Sequence, residues 1–396
     1  MASTNRTETR ALILRAHGAG PSEVDELLRY NAAVLDADAI PPGLVLPLPD
    51  EPFVSRWDTY RSEAASGGVY RCLWSRFPQL QFPIETGISD SDEYKSAVRR
   101  GLPSGRSAEH GLQLERPDLL SLSIHLSLAG RIPILVTEHR HDFLSLVRAL
   151  ANRNEPVAVP DSMGGCIIAG YNNWDRIGAY RRSWEARHPG SDVSDWQAEF
   201  QALSARKELY QDTFILLSAG SYSGVDASGL GLDPVQWQHM SVAIRRAHEC
   251  THYFTRRVFS SMRNNVLDEV VADFIALITA TGTFDTSWFL AFFGLENYPE
   301  FRPSGRLTNY MGSPPLSPSA FQILQRLVWR VGHNLGQFHA QHRERLRHAS
   351  TRARVILTLS SMTVEELAED TAPDQVSARL TRLDEAYTTG NTAKHN

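Results

Sequence analysis

"DPVQWQHMSVAIRRAHECTHYFTRRVFSSM", residues 233–262, is the stretch on which the reading of the chain turns. Asp233 is an N-cap residue type, and Pro234 stands at the first helical position, where its missing N–H and fixed φ do no harm. Trp237, Met240, Ile244, Ala247 and Cys250 or Thr251 recur every three or four residues. That spacing predicts one buried face on a helix of about seven turns. His248 and His252, four residues apart, then lie one above the other, with Glu249 turned about 100° from His248. Two imidazoles so placed can reach one metal ion, and the carboxylate can sit beside a water on that ion. The competing reading is a polar stripe on a surface helix.

A catalytic metal of this kind needs a third protein ligand and an open position. The next apolar segment, "NNVLDEVVADFIALITA" (264–280), brings Glu269 seventeen residues after His252. The gap leaves room for the end of one helix, a turn through Arg263, Asn264 and Asn265, and the start of an antiparallel partner. Asp273 follows Glu269 by four, so both carboxylates share a face. One can bind metal while the other accepts the free N–H of a ligand histidine, fixing its tautomer.

Around this core the composition is that of a folded protein: 396 residues, 42% hydrophobic and 9% aromatic, enough for one large or two medium domains. Forty basic against forty-five acidic residues give a net charge of −5, which provides no field for a nucleic acid or an anionic membrane. Charges interrupt every apolar run of the opening "MASTNRTETRALILRAHGAG". No stretch reaches the roughly 18 uncharged apolar residues of a spanning helix. Cys72, Cys166 and Cys250 are odd in number and lack a CxxC spacing, so a reducing, cytoplasmic setting is expected.

The texture of the chain divides it in three. Residues 1–117 read as helical and extended pieces, with "PSEVDELLRYNAAVLDA" a helix and the Pro-rich "IPPGLVLPLPDEPF" a linker. Residues 118–232 read as mixed α/β with a small sheet. "LLSLSIHLSLAGRIPILVTEHRHDFLSLVRAL" has the pattern strand, strand, helix, "PVAVP" and "CIIAGY" add short strands, and "DTFILLS" is the last. Residues 233–396 read as helical and carry the metal site, with a disordered tail expected from about 386. The fold class is α+β, helix-dominated, with the metal expected between the sheet side and the helices.

HExxH followed by ExxxD on the next helix resembles the gluzincin branch of zinc metallopeptidases, the thermolysin-like arrangement, over His248 to Asp273. That resemblance implies a zincin-like core. It makes His248, His252 and Glu269 the zinc ligands, Glu249 the general base and Asp273 the hydrogen-bond partner of a ligand histidine. The longer metzincin motif is absent, since Val258 stands ten residues beyond His248. The chain as a whole, with "NEPVAVPDSMGGCIIAGYNNWDRI", "YQDTFILLS" and "RNNVLDEVVADFIAL", also resembles a group of bacterial proteins of unassigned function.

The expected activity is therefore that of a zinc-dependent metallohydrolase of narrow specificity, acting on a peptide or small amide-containing substrate. Glu249 would take a proton from water and return it to the leaving nitrogen. The same donors also suit a cyclase, lyase or dehydratase working on a small metabolite or biosynthetic intermediate, and manganese or cobalt in place of zinc. An oxyanion donor is required beyond the metal. Candidates are Tyr253, Arg306, Asn309 and Tyr310, and the cluster His333, His339 and His342, each with an equally good structural reading. "TFILLS" reads either as an edge strand that pairs with extended substrate or as an internal strand, and Tyr222, Ser223 and Gly224 as a rim beyond it. In "GYNNWDRI", Asn172, Asn173 and Asp175 read first as a helix cap beside Trp174.

Overall fold

The computed structural model describes residues 2–32, 44–106, 108–261 and 265–392. The chain opens with α1 (Ala2–Ala16) and α2 (Pro21–Tyr30). It continues through α3 (Val54–Gly67), α4 (Val69–Trp74), the single turn α5 (Asp92–Tyr94), β1 (Leu120–Ser127), β2 (Gly130–Thr137) and α6 (Arg140–Leu150). Next come β3 (Gly165–Asn172), α7 (Trp174–Arg187), α8 (Val193–Ser204) and β4 (Gln211–Ser218). The remainder is helical: α9 (Pro234–Phe259), α10 (Val266–Thr281), α11 (Thr286–Phe293), α12 (Pro318–Leu346), α13 (Ala349–Ser360), α14 (Val364–Ala368) and α15 (Ala372–Thr392). The protein is α+β and helix-dominated, with one small mixed sheet. No described helix is long and apolar enough to cross a membrane.

Two compact units divide the chain, one of residues 49–220 and the other of residues 1–48 together with 221–396. The boundaries read from composition at 117 and 232 thus give way to boundaries near 48 and 220. The reason lies in long-range packing that local composition does not record. Phe53, Trp57, Tyr60 and Phe77, from the N-terminal side of residue 117, join Leu135, Phe143, Tyr171 and Phe214 in one buried core. In the other unit, α1 and α2 are held by the C-terminal helices. Arg10 Nη2 donates to Glu365 Oε1 at 3.1 Å, a pair of 9% and 0% exposed side chains separated by 355 residues.

In the unit of residues 49–220 the sheet order is β1-β2-β4-β3, with β1/β2 and β3/β4 antiparallel and β2/β4 parallel. β4 is buried along almost its whole length, as a strand covered on both faces should be. Both of its hydrogen-bonding edges are taken, by β2 and β3. The reading of "TFILLS" as a substrate-pairing edge is corrected accordingly. "PVAVP" forms no strand either; prolines at both ends remove ladder donors, and Val157 is exposed. Asn173 is a helix cap, its side chain accepting from Asp175 N and Arg176 N at 3.1 and 3.2 Å. It also donates to Asp212, which is fully buried with Arg176 and the Trp57 indole as further donors.

In the helical unit, α9 begins as its sequence specifies, with Asp233 accepting from Val235 N and Gln236 N. It ends at Ser260 in the left-handed region. Part of the expected turn, Arg263 and Asn264, lies outside the described residues, as do 33–43 of the expected second helix and linker. α10 is mostly apolar and buried along most of its length, Glu269 and Asp273 included, so it serves as a central helix packed by α9, α12 and α13. The tail expected to be disordered continues as α15 to Thr392, and 393–396 lie outside the described residues. Cys72, Cys166 and Cys250 are not joined in disulfides.

Candidate metal centre

Every residue of the cluster belongs to the helical unit. α9 supplies Arg245, His248, Glu249 and His252, and α10 supplies Glu269 and Asp273. The loop before α9 adds Tyr222, and the 3-10 turn Arg306–Tyr310 adds Arg306 and Tyr310. Burial of these groups follows from their positions, since the i, i+4 rows of α9 and α10 face one another. Buried charges of this kind demand partners.

The donors converge. His248 Nε2 and His252 Nε2 are 3.0 Å apart. Glu269 brings Oε2 to 3.4 Å from the first and Oε1 to 3.3 Å from the second. A tetrahedral zinc ion with bonds of about 2.0–2.1 Å sets its ligand atoms roughly 3.3–3.4 Å apart, so the three groups already stand at the spacing of one face of such a site. His248, His252 and Glu269 could hold a metal ion together.

Behind His248 is a fixed support. Its Nδ1–H lies 2.8 Å from Asp273 Oδ1, leaving Nε2 to face His252 and Glu269. Tyr222 donates its hydroxyl proton to the same carboxylate oxygen at 2.6 Å and sits 2.9 Å from His248 Nδ1. Arg306 donates to the Tyr222 oxygen at 3.0 Å and closes a short ion pair with Asp273 Oδ2. Its guanidinium packs over the Tyr222 and Phe293 rings. A carboxylate–histidine contact of this form orients a ligand imidazole and raises its basicity.

Electrostatics favour positive charge at the convergence point. Burial opposes protonation of His248, but hydrogen bonding to Asp273 and Glu269 pushes it up to about 10. Burial would raise Glu269, yet His248 and His252 hold it well below the ordinary carboxylate value. Burial pushes the Glu249 carboxyl upward, against the pull of the two histidines. With both histidines neutral, as metal ligands must be, Glu249, Glu269 and Asp273 against Arg245 and Arg306 leave one net negative charge to meet a divalent cation.

The loop carrying Arg306 is held by backbone contact. A Cβ on Gly305 would lie 2.5 Å from both Gly294 Cα and Phe293 O, so only glycine lets this turn close on the end of α11. Arg306, a candidate oxyanion donor, gives its Nη atoms to Tyr222 and Asp273 on the Nδ1 side of His248, while its Nε stands 3.9 Å from Glu269 Oε2. The Tyr310 hydroxyl bonds Glu269, while Asn309 is exposed. Tyr253 is 1% exposed, with the Arg257 guanidinium over its ring. Tyr222 and Ser223 are no rim but are buried, each 3% exposed. His333 packs edge-on against Trp329, His339 accepts from Phe284 N, and His342 contacts Ser377, so each has a structural partner in or beside α12. Sequence reasoning missed Arg245, which donates to Ser221 O and covers the Tyr222 ring. The available signal was its place three residues before His248 on the same helix.

A family model matches residues 12–371. The chain belongs to DUF7005, a family of unknown function. The DUF7005 match takes in every residue of the cluster, all of the unit of residues 49–220 and most of the other. No curated protein and no solved structure matches the chain.

Proposed function

We propose that this DUF7005 protein is a zinc-dependent hydrolase of a peptide or amide bond, with α9 and α10 forming the metal-binding half of a zincin-like, gluzincin-type core. The observation that carries the reading is the convergence of His248, His252 and Glu269 at 3.0–3.4 Å, with Asp273 fixing the His248 tautomer from behind. Bound there, zinc would lower the pKa of a water and polarise a carbonyl. Glu249, one residue from His248 and poised upward by burial, would accept the water's proton and deliver it to the leaving nitrogen. Asp273, Tyr222 and Arg306 act through His248 as positioning residues.

Access to the cluster is narrow. His248, Glu249, His252 and Glu269 are each 5–8% exposed, an opening that suits a small or slender substrate and disfavours broad proteolysis. The same enclosure favours, as a second reading, a zinc-dependent cyclase, lyase or dehydratase in which Glu249 takes a proton from a small metabolite.

Metal analysis by mass spectrometry on wild type, His248→Ala and Glu249→Gln tests the centre. About one zinc per chain held through purification, lost in the first variant and kept in the second, is the expected result for this centre; a wild type that takes up no zinc, or whose zinc uptake His248→Ala leaves unchanged, refutes it. Cleavage of a peptide and acyl-amide library, abolished by Glu249→Gln, then separates hydrolysis from the lyase-type chemistry.

A further inference from the structure

We propose that Glu115, His139 and His141 form a second, solvent-facing site for a divalent transition-metal ion, in the unit of residues 49–220. The site shares no residue with the candidate centre on α9 and α10 and stands independently of the function proposed for it. His139 and His141 flank the start of α6, His139 as its extended N-cap residue. Glu115 reaches both: its Oε1 is 3.2 Å from His141 Nδ1 and its Oε2 3.6 Å from His139 Nε2. All three can offer one ligand atom within 4.8 Å of the others, and the two separations from Glu115 are close to the edge lengths of a tetrahedral zinc site.

Two further features distinguish this cluster from an ordinary surface ion pair. Asp142, 1% exposed, places Oδ1 3.3 Å from His139 Nδ1. Nδ1 of His139 makes no hydrogen bond, so Asp142 acts on this imidazole as a nearby buried charge, while Nε2 stands on the side of Glu115. The same carboxylate accepts from Glu115 N at 2.8 Å and Arg116 N at 2.9 Å, so it tethers the segment carrying Glu115 to the helix carrying the histidines. Moreover, the neighbouring cations are engaged elsewhere. Arg116 is paired with Asp118, and Arg140 donates to the carbonyls of Met163 and Pro160. Two carboxylates therefore face two imidazoles without a guanidinium between them, a donor set suited to zinc, nickel or cobalt. With side-chain exposures of 63% for Glu115 and 71% for His141, an ion here would exchange with the surrounding pool while linking Glu115 to the start of α6.

Calorimetric titration of zinc into chelator-stripped, full-length protein tests the site. The expected result is a zinc-binding step that His141→Ala abolishes and Glu115→Gln weakens at least tenfold, while His248→Ala leaves it in place. Because both substitutions fall on exposed side chains, circular dichroism spectra should match wild type. Zinc binding unchanged in both His141→Ala and Glu115→Gln overturns the proposal, as does a wild type whose entire zinc uptake is removed by His248→Ala. A step lost in His141→Ala when His248→Ala changes nothing upholds this site and refutes the one on α9 and α10.

Discussion

Replacing Asp273 by asparagine isolates the charge that holds the cluster together. The carboxylate, fully buried, accepts from His248 Nδ1 and Tyr222 on one oxygen and pairs with Arg306 through the other. Asparagine retains the volume but offers one oxygen and an NH2 group, so either the His248–Tyr222 side or the Arg306 side meets a donor. Arg306 is 7% exposed and would be left with Glu269 at 3.9 Å as its remaining carboxylate partner. Breaking one side of a buried ion pair costs about 3–5 kcal/mol. At roughly 2–4 °C per kcal/mol the helical unit should melt some 6–20 °C lower. Loss of the imidazole's support should separately weaken zinc binding by about 10–100-fold. Urea denaturation followed by tryptophan fluorescence, together with zinc titration, measures the two effects. The double variant Asp273→Asn/Arg306→Met removes both charges and should recover much of the lost stability without recovering the affinity. A single Asp273→Asn variant within about 1 kcal/mol of wild type, binding zinc within about threefold, would refute the assigned role of this network.

Three other outcomes are expected. Gly305→Ala forces a methyl to within 2.5 Å of Gly294 Cα and Phe293 O. Backbone cannot yield as a side chain does, so differential scanning calorimetry should record a loss of about 1–3 kcal/mol, with weaker zinc binding as Arg306 shifts. Zinc at about a hundredfold excess over Kd should stabilise the helical unit by roughly 2.7 kcal/mol, a gain that chelator reverses in thermal melts and that His252→Ala eliminates. Burial opposes ionisation of Glu366, but Arg6, Arg379 and the backbone N–H of Thr363 hold its carboxyl below the ordinary value. The resulting stabilisation is present above the unfolded carboxyl's pKa of about 4.3 and is lost as pH falls through the lower folded value. Stability against pH for Glu366→Gln should therefore show a shallower acid limb than wild type.

The most local signals carried furthest. Asp233 and Pro234 fixed where α9 begins, and the i, i+4 rows of α9 and α10 placed His248, His252, Glu269 and Asp273 where they could meet. The nearly continuous apolar run of β4 already implied burial on two faces, although its place between β2 and β3 required the pairing itself. Tyr222 sits in a Gly/Ser loop without periodicity, so nothing in its surroundings marked it as the group that braces Asp273 and His248. Gly305 is conformationally ordinary, and its importance rests on a backbone contact with residues outside its own segment. The unit boundaries failed for a similar reason: residues 49–117 share composition with the rest of the N-terminal region but pack against the sheet.

Arg10 and Glu365 set a timetable for synthesis. At about 5–20 residues per second a ribosome needs roughly 20–70 s to travel from one to the other. For most of that interval α1 and α2 exist without α12 and α14, the helices they pack against, although Leu14 and Leu27 are fully buried in the finished protein. The unit of residues 49–220 has no such wait, because all of its chain has been made before α9 begins. The sheet can therefore form while the earliest helices remain uncovered, which makes them the segments on which a chaperone would act during translation. A stop codon before residue 364 would leave Arg10 permanently without Glu365, and a late truncation would register first as misfolding at the opposite end of the sequence.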